Sequence, residues 1–141
     1  KLGRKRIFGT HKTLRGFFFG ILAAIGMAFL QSYLYTFHFF SSISIIEYPL
    51  FNPALVGFLF GFGALFGDAV KSFFKRRVGI SEGEPWLVFD QTDWIIGALI
   101  FISPVSRISP TFILLTLGVF IMLHFAFKII GYYLGIDSKK I

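Results

Sequence analysis

Between Gly67 and Trp94 the sequence reads GDAVKSFFKRRVGISEGEPWLVFDQTDW, and three acids, Asp68, Asp90 and Asp93, share it with four bases, Lys71, Lys75, Arg76 and Arg77. Carboxylates bind Mg²⁺ and cationic side chains bind phosphate oxygens, so this mixture suits a divalent metal and a polyphosphate. If a helix runs on past Gly67, then Asp68, Lys71, Ser72 and Lys75 fall at i, i+3, i+4 and i+7 and share one face. Asp90 and Asp93 are three apart, so a helical turn points both the same way, and two such carboxylates repel unless a cation lies between them. Blander readings compete. Lys75, Arg76 and Arg77 also suit an interfacial anchor, and acids at a helix start are favoured by its dipole. Asp68 is harder to explain away, because an acid that follows ALFG at the edge of lipid is costly unless it is paired or functional.

Upstream, Phe8 to Gly16 reads FGTHKTLRG and carries Lys12, Thr13 and Arg15 just before an apolar run. The phosphate-binding pattern G-x-x-x-x-G-K-[ST] fails there because position 11 is His. A small basic loop that folds over a nucleotide and a simple juxtamembrane anchor both fit. His11, His38 and His124 show no ligand spacing, and the absence of cysteine excludes disulfides, thiolate metal sites and Cys nucleophiles.

These residues must be positioned by membrane helices. The chain of 141 residues is 55% hydrophobic and 15% charged, with 21 Phe and a mean hydropathy of +0.76; soluble domains carry about a quarter charged residues. The expected fold is all-α, an integral membrane helical bundle in one domain. Four spans are expected at 17–40, 49–66, 94–105 and 111–133, the third short for the roughly 20 residues a bilayer requires. A basic arm over 1–16 and a charged loop over 67–93 complete the plan. The basic, polar start is no signal peptide, and a chain beginning at Lys is expected to lack its true N-terminus.

Of 14 Lys and Arg, all but Arg107 fall in the arm, the charged loop or the last helix and tail. The positive-inside rule then places those segments in the cytoplasm of a multi-pass cell-membrane protein, and the net charge of +7 reflects topology rather than nucleic-acid binding. Gly20, Gly26, Gly57, Gly61 and Gly63 allow close helix packing. Gly57, Gly61 and Gly63 are also expected to thin the second span into the wall of a groove for lipid chains.

The run G-D-x-x-K-S-x-x-K-R from Gly67 to Arg76, the D-Q-x-D from Asp90 to Asp93, and the G-x-x-K-T-x-R-G from Gly9 to Gly16 closely resemble the CDP-archaeol synthases. These are archaeal relatives of the CTP:phosphatidate cytidylyltransferases. The resemblance covers nearly the whole chain, and Gln91, where the bacterial enzymes have Arg, fits the archaeal branch. It implies a fifth span before the arm in the full-length protein. It also implies a Mg²⁺-dependent reaction of CTP with an isoprenoid glycerol ether lipid phosphate, giving a CDP-lipid and pyrophosphate. On that basis Asp68, Asp90 and Asp93 bind metal and Lys71 and Lys75 join them as catalytic groups. Lys12, Thr13, Arg15, Ser72, Arg76 and Gln91 bind substrate. The pattern of a CDP-alcohol phosphatidyltransferase is missing. A small ion channel or transporter with the acids as cation site is the alternative.

Overall fold

In the computed structural model, residues 13–80, 84, 86, 89–106 and 108–135 are described. Their elements are α1 (Leu14–Leu34), α2 (His38–Ile43), a 3₁₀ turn (Tyr48–Leu50), α3 (Pro53–Arg77), α4 (Phe89–Ile102) and α5 (Pro110–Tyr133). The described residues are all helix and connection, as the composition requires.

Each long helix starts on a recognisable signal. Thr13 caps α1 by accepting from the Gly16 N–H at 3.1 Å. Asn52 and Ser109 do the same for α3 and α5, each followed by a proline whose missing N–H costs nothing at that position. α1 stops at Leu34, short of the expected Phe40. The Thr36 hydroxyl and N–H both bond back to the Tyr33 carbonyl, which turns the chain before the short α2. α3 ends where Gly79 adopts φ +85° and the Ile80 N–H reaches back to the Lys75 carbonyl.

α1, α3 and α5 are long and apolar enough to cross a membrane. α4 has 14 residues, so it is roughly 21 Å long against a hydrocarbon core of about 30 Å. The expected charged loop over 67–93 is a correction: residues 67–77 are the last three turns of α3, and Asp90 and Asp93 already belong to α4. Charge read as a loop signal because the sequence does not reveal that one helix supplies the counter-ions of the other.

α3 is the central element. α1 and α4 both pack on it, and α5 leans on α4, where Trp94 meets Phe120 edge to face at 5.1 Å. Two glycine pairs make this possible. A Cβ at Gly61 would stand 2.7 Å from the Ala24 Cβ on α1, and one at Gly63 would stand 2.6 Å from the Gly97 carbonyl oxygen on α4. Gly57 and Gly61 thus seat α1, and Gly63 and Gly67 seat α4. These four residues form two small-x-x-x-small pairs on different faces of one helix. The expectation that Gly57, Gly61 and Gly63 line a lipid groove is therefore overturned, since backbone of the neighbouring helices already fills the space beside them.

Candidate functional site

The Gly67 and Gly97 contacts bring the charged end of α3 against the first turns of α4. Lys71 lies at the centre. Its ammonium is 3.4 Å from Asp68 Oδ1, 3.0 Å from Asp90 Oδ1 and 3.1 Å from Asp93 Oδ2. One turn on, the buried Lys75 donates to both oxygens of Asp90, at 3.3 and 3.0 Å. Five residues more than 20 positions apart in the chain at their extremes thus form one network, with Asp68, Lys71 and Lys75 on the single α3 face their spacing requires.

Asp90 is the best-held member. Beyond the two lysines, the Trp86 N–H donates to its Oδ2 at 2.7 Å. Partial burial works to raise its carboxyl, but the Trp86 N–H and the ammoniums of Lys75 and Lys71 outweigh that and hold it below the ordinary carboxylate range. Asp93 is the most enclosed, its side chain 7% exposed. Its Oδ2 meets Lys71 as an ion pair, while its Oδ1 is buried with no hydrogen-bond partner. A buried carboxylate oxygen left bare is costly, so such an atom points to something the site is built to receive.

Among the described residues no group of three acidic, His or Cys side chains converges closely enough to hold an ion by itself. The three acids gather round an ammonium instead. Their chemistry still fits Mg²⁺, which usually takes one or two carboxylates and completes its shell with substrate phosphates and water. The charge balance points the same way. Three carboxylates and two ammoniums leave the cluster one charge negative, unfit for a polyanion, and a divalent cation reverses that sign.

The remaining sequence candidates are more scattered. Gln91 is buried beside Asp90, and its amide oxygen has no partner. Ser72 is half-buried next to Lys71 on α3. Arg76 does not join the acids: its Nη1 donates to the Ile80 carbonyl at 2.6 Å and clasps the turn that ends α3, with its Nε buried and unpartnered. Thr13 spends its hydroxyl on the α1 cap and lines an apolar groove with Phe66, Val70 and Phe73, on the side of α3 away from Lys71. Arg15 is exposed on the first turn of α1, and Lys12 lies outside the described residues. Arg77 stacks its guanidinium over Phe73 at 5.1 Å.

Sequence reasoning passed over Gly97 and the Trp86 N–H. Gly97 has a legible counterpart in the Gly63-x-x-x-Gly67 pair, which calls for an equally small residue on the helix it meets. The Trp86 contact is made by backbone and leaves no trace in residue type.

The model of the CDP-archaeol synthase family (CarS-like) matches residues 2–140. Relatives named CDP-archaeol synthase include one from Methanococcus aeolicus, 35% identical over 95% of this chain and 75% of its own length. Another, from Methanococcoides burtonii, is 38% identical over 96% of this chain and 82% of its own length. A third, from Methanocaldococcus jannaschii, is 36% identical over 95% and 75%. No solved structure matches the chain. The chain belongs to the CDP-archaeol synthase family.

Proposed function

We propose that this member of the family transfers a cytidylyl group from CTP to an isoprenoid glycerol ether lipid phosphate at the Lys71 cluster, on the cytoplasmic side of the cell membrane. The observation that carries this reading is the convergence of Asp68, Asp90 and Asp93 on one ammonium, with Lys75 behind them and a bare Asp93 oxygen among them.

A phosphate oxygen of the lipid attacks the α-phosphorus of CTP. The new P–O bond forms as the bond to the β-phosphate's bridging oxygen breaks, and pyrophosphate leaves with that electron pair. A phosphate monoester has a second pKa near 6, so the attacking group is already largely dianionic at neutral pH and no general base is called for. The task is to bring two polyanions together and to neutralise the leaving charge, which fixed cations do without reorganising during the reaction. Lys71 and Lys75 are those cations here, since an incoming polyphosphate competes with the carboxylates for the same ammoniums. Asp90 and Asp93 would hold Mg²⁺, which supplies charge neutralisation on the phosphates. Gln91 offers an unpartnered carbonyl that suits the amino group of cytosine. Arg15, exposed on the first turn of α1, offers a further cation near the membrane surface.

The alternative, a cation channel or transporter, is not favoured, because two lysines occupy the acidic cluster and it lies at one end of the helices. The test is turnover of CTP with a lipid phosphate and Mg²⁺ in detergent, followed by product mass. A CDP-lipid and pyrophosphate in equal amounts are expected. Stabilisation by Mg²⁺ alone, with no CTP response and no product, would overturn the reading.

A further inference from the structure

α1 and α3 part from one another towards the charged end of α3. At Gly61 the two helices are in backbone contact, where an added Cβ would stand 3.2 Å from the Ile21 Cα. At Gly20 the side chain of Leu65 already stands between them, and at Phe17 only ring edges meet, with the Phe17 and Phe62 centroids 6.3 Å apart. Beyond that point the two helices enclose an open groove of about 710 Å³, with Leu14 and Phe17 on its α1 wall. Pockets of this size hold whole small ligands.

The α3 wall is a stripe. Phe62, Phe66, Ala69 and Phe73 line it at i, i+4, i+7 and i+11, and Arg77 continues the same series at i+15. From Phe62, near the middle of α3, to Phe73 is about 16 Å along the axis, against about 15 Å for half of a hydrocarbon core. The groove is therefore one leaflet deep. Arg77 stands one turn further out, at the height of lipid headgroups, with its guanidinium laid over the Phe73 ring at 5.1 Å. Leu14, Phe66 and Val70 remain exposed along the trough. A guanidinium binds phosphate through paired N–H donors, so the complement to an apolar trough ending in an exposed arginine is a lipid with an anionic phosphate headgroup.

That lipid is a different molecule from the substrate. Lys71 is two residues from both Ala69 and Phe73, which turns it about 160° from the stripe. A headgroup at Arg77 is separated from the Lys71 cluster by the body of α3, roughly 10 Å across, whereas reacting atoms must come within about 3–3.5 Å. We infer that the groove holds a resident anionic membrane lipid, its phosphate on Arg77 and a chain along Phe62, Phe66 and Phe73, and that this lipid fastens the start of α1 to α3. The inference goes beyond the cytidylyltransferase reading and does not rest on it.

The experiment gives the full-length protein in detergent either phosphatidylglycerol or phosphatidylcholine with identical chains, and reads native mass spectra and the unfolding temperature. Phosphatidylglycerol should be retained and should raise the unfolding temperature. Phosphatidylcholine, whose phosphate is offset by its own choline cation, should do neither. Arg77→Ala should weaken phosphatidylglycerol retention roughly tenfold or more, the scale of one charged hydrogen bond. Val70→Trp, at an exposed position in the groove, should weaken it by bulk, while Leu114→Trp, exposed on α5, should retain the lipid as the wild type does. Phosphatidylglycerol should also leave the KM for the lipid phosphate unchanged. Equal retention of the two lipids by the wild type, or unchanged retention in both groove variants, would overturn the inference. Competition between phosphatidylglycerol and the lipid phosphate would overturn it in favour of the substrate, and a dimer lost in Val70→Trp with lipid retention intact would overturn it in favour of a second copy. A protein with no turnover fails the cytidylyltransferase reading, and lipid retention then decides the groove by itself.

Discussion

Gly67 of α3 lies flush against the backbone carbonyl of Asp93 on α4, with no room for a Cβ between them. This contact sets the height of Asp93 relative to Lys71, one helical turn beyond Gly67 on α3. The ion pair between the two side chains follows from the backbone fit and closes over it. A residue that carries no functional group thereby fixes the distance between two that do.

Gly67→Ala should accordingly force the helices apart and cost activity more than its single methyl suggests. A displacement of about 1 Å at a reacting centre can cost on the order of a hundredfold, and that is the expected loss in kcat, with a lowered unfolding temperature. Gly118→Ala on α5, where an added Cβ meets nothing within 4 Å, is the control and should leave both measurements unchanged. Equal behaviour of the two variants would show that the glycine contact does not set the site.

Much of this site was legible before any coordinates. The i, i+3, i+7 spacing of Asp68, Lys71 and Lys75 places them on one face wherever the segment is helical, and the three-residue spacing of Asp90 and Asp93 does the same for the second element. The pairing between the elements was not legible, because nothing in the residue types says that Lys71 faces α4 rather than water. Arg76 shows the limit from the other side. Its neighbours in sequence are phosphate-type bases, yet one added residue rotates it by roughly 100°, onto the turn carbonyl of Ile80. The spans fared similarly: apolar length located α1, α3 and α5, while the ends moved wherever a cap or a hydroxyl overrode hydropathy.

Lys71 and Arg77 should separate sharply. Lys71→Ala leaves three carboxylates facing one another without the ammonium they share, and removing one partner of a buried ion pair costs about 3–5 kcal/mol. Turnover should become undetectable and the unfolding temperature should fall. Arg77→Ala removes an exposed guanidinium stacked on Phe73, an interaction worth about 0.5–1 kcal/mol, and turnover should stay within about fivefold of wild type by the corresponding rate factor. The opposite ranking would mean that the cluster is a structural knot away from the reaction.

Asp90 gives a pH signature. Its carboxyl is held below the ordinary range in the folded protein, so the stabilisation it contributes is fully present above the unfolded value of about 3.9 and is lost as pH falls through the lower folded value. The unfolding temperature of the wild type should thus hold steady from neutrality to about pH 4 and drop below it. Asp90→Asn should be less stable at neutral pH and should show a shallower acid decline. Parallel pH curves for the two proteins would rule out Asp90 as the titrating group.

Asp93 separates metal binding from folding more cleanly than Asp90, because it makes fewer bonds that hold the protein together. Asp90 ties the Trp86 N–H and two lysines, so Asp90→Asn perturbs stability along with chemistry. Asp93 pairs with Lys71 through one oxygen and keeps the other bare. Asp93→Asn is nearly isosteric, yet it removes the charge that would draw a divalent cation to that oxygen. We expect a folded protein whose turnover falls by about a hundredfold or more, the scale seen when one preorganised charge-stabilising group is lost. We also expect it to lose the extra thermal stabilisation that Mg²⁺ adds in the presence of CTP, a readout that does not depend on catalysis. Near-normal Mg²⁺-dependent turnover together with an intact Mg²⁺ shift would remove Asp93 from the metal site and leave it the role of pairing with Lys71.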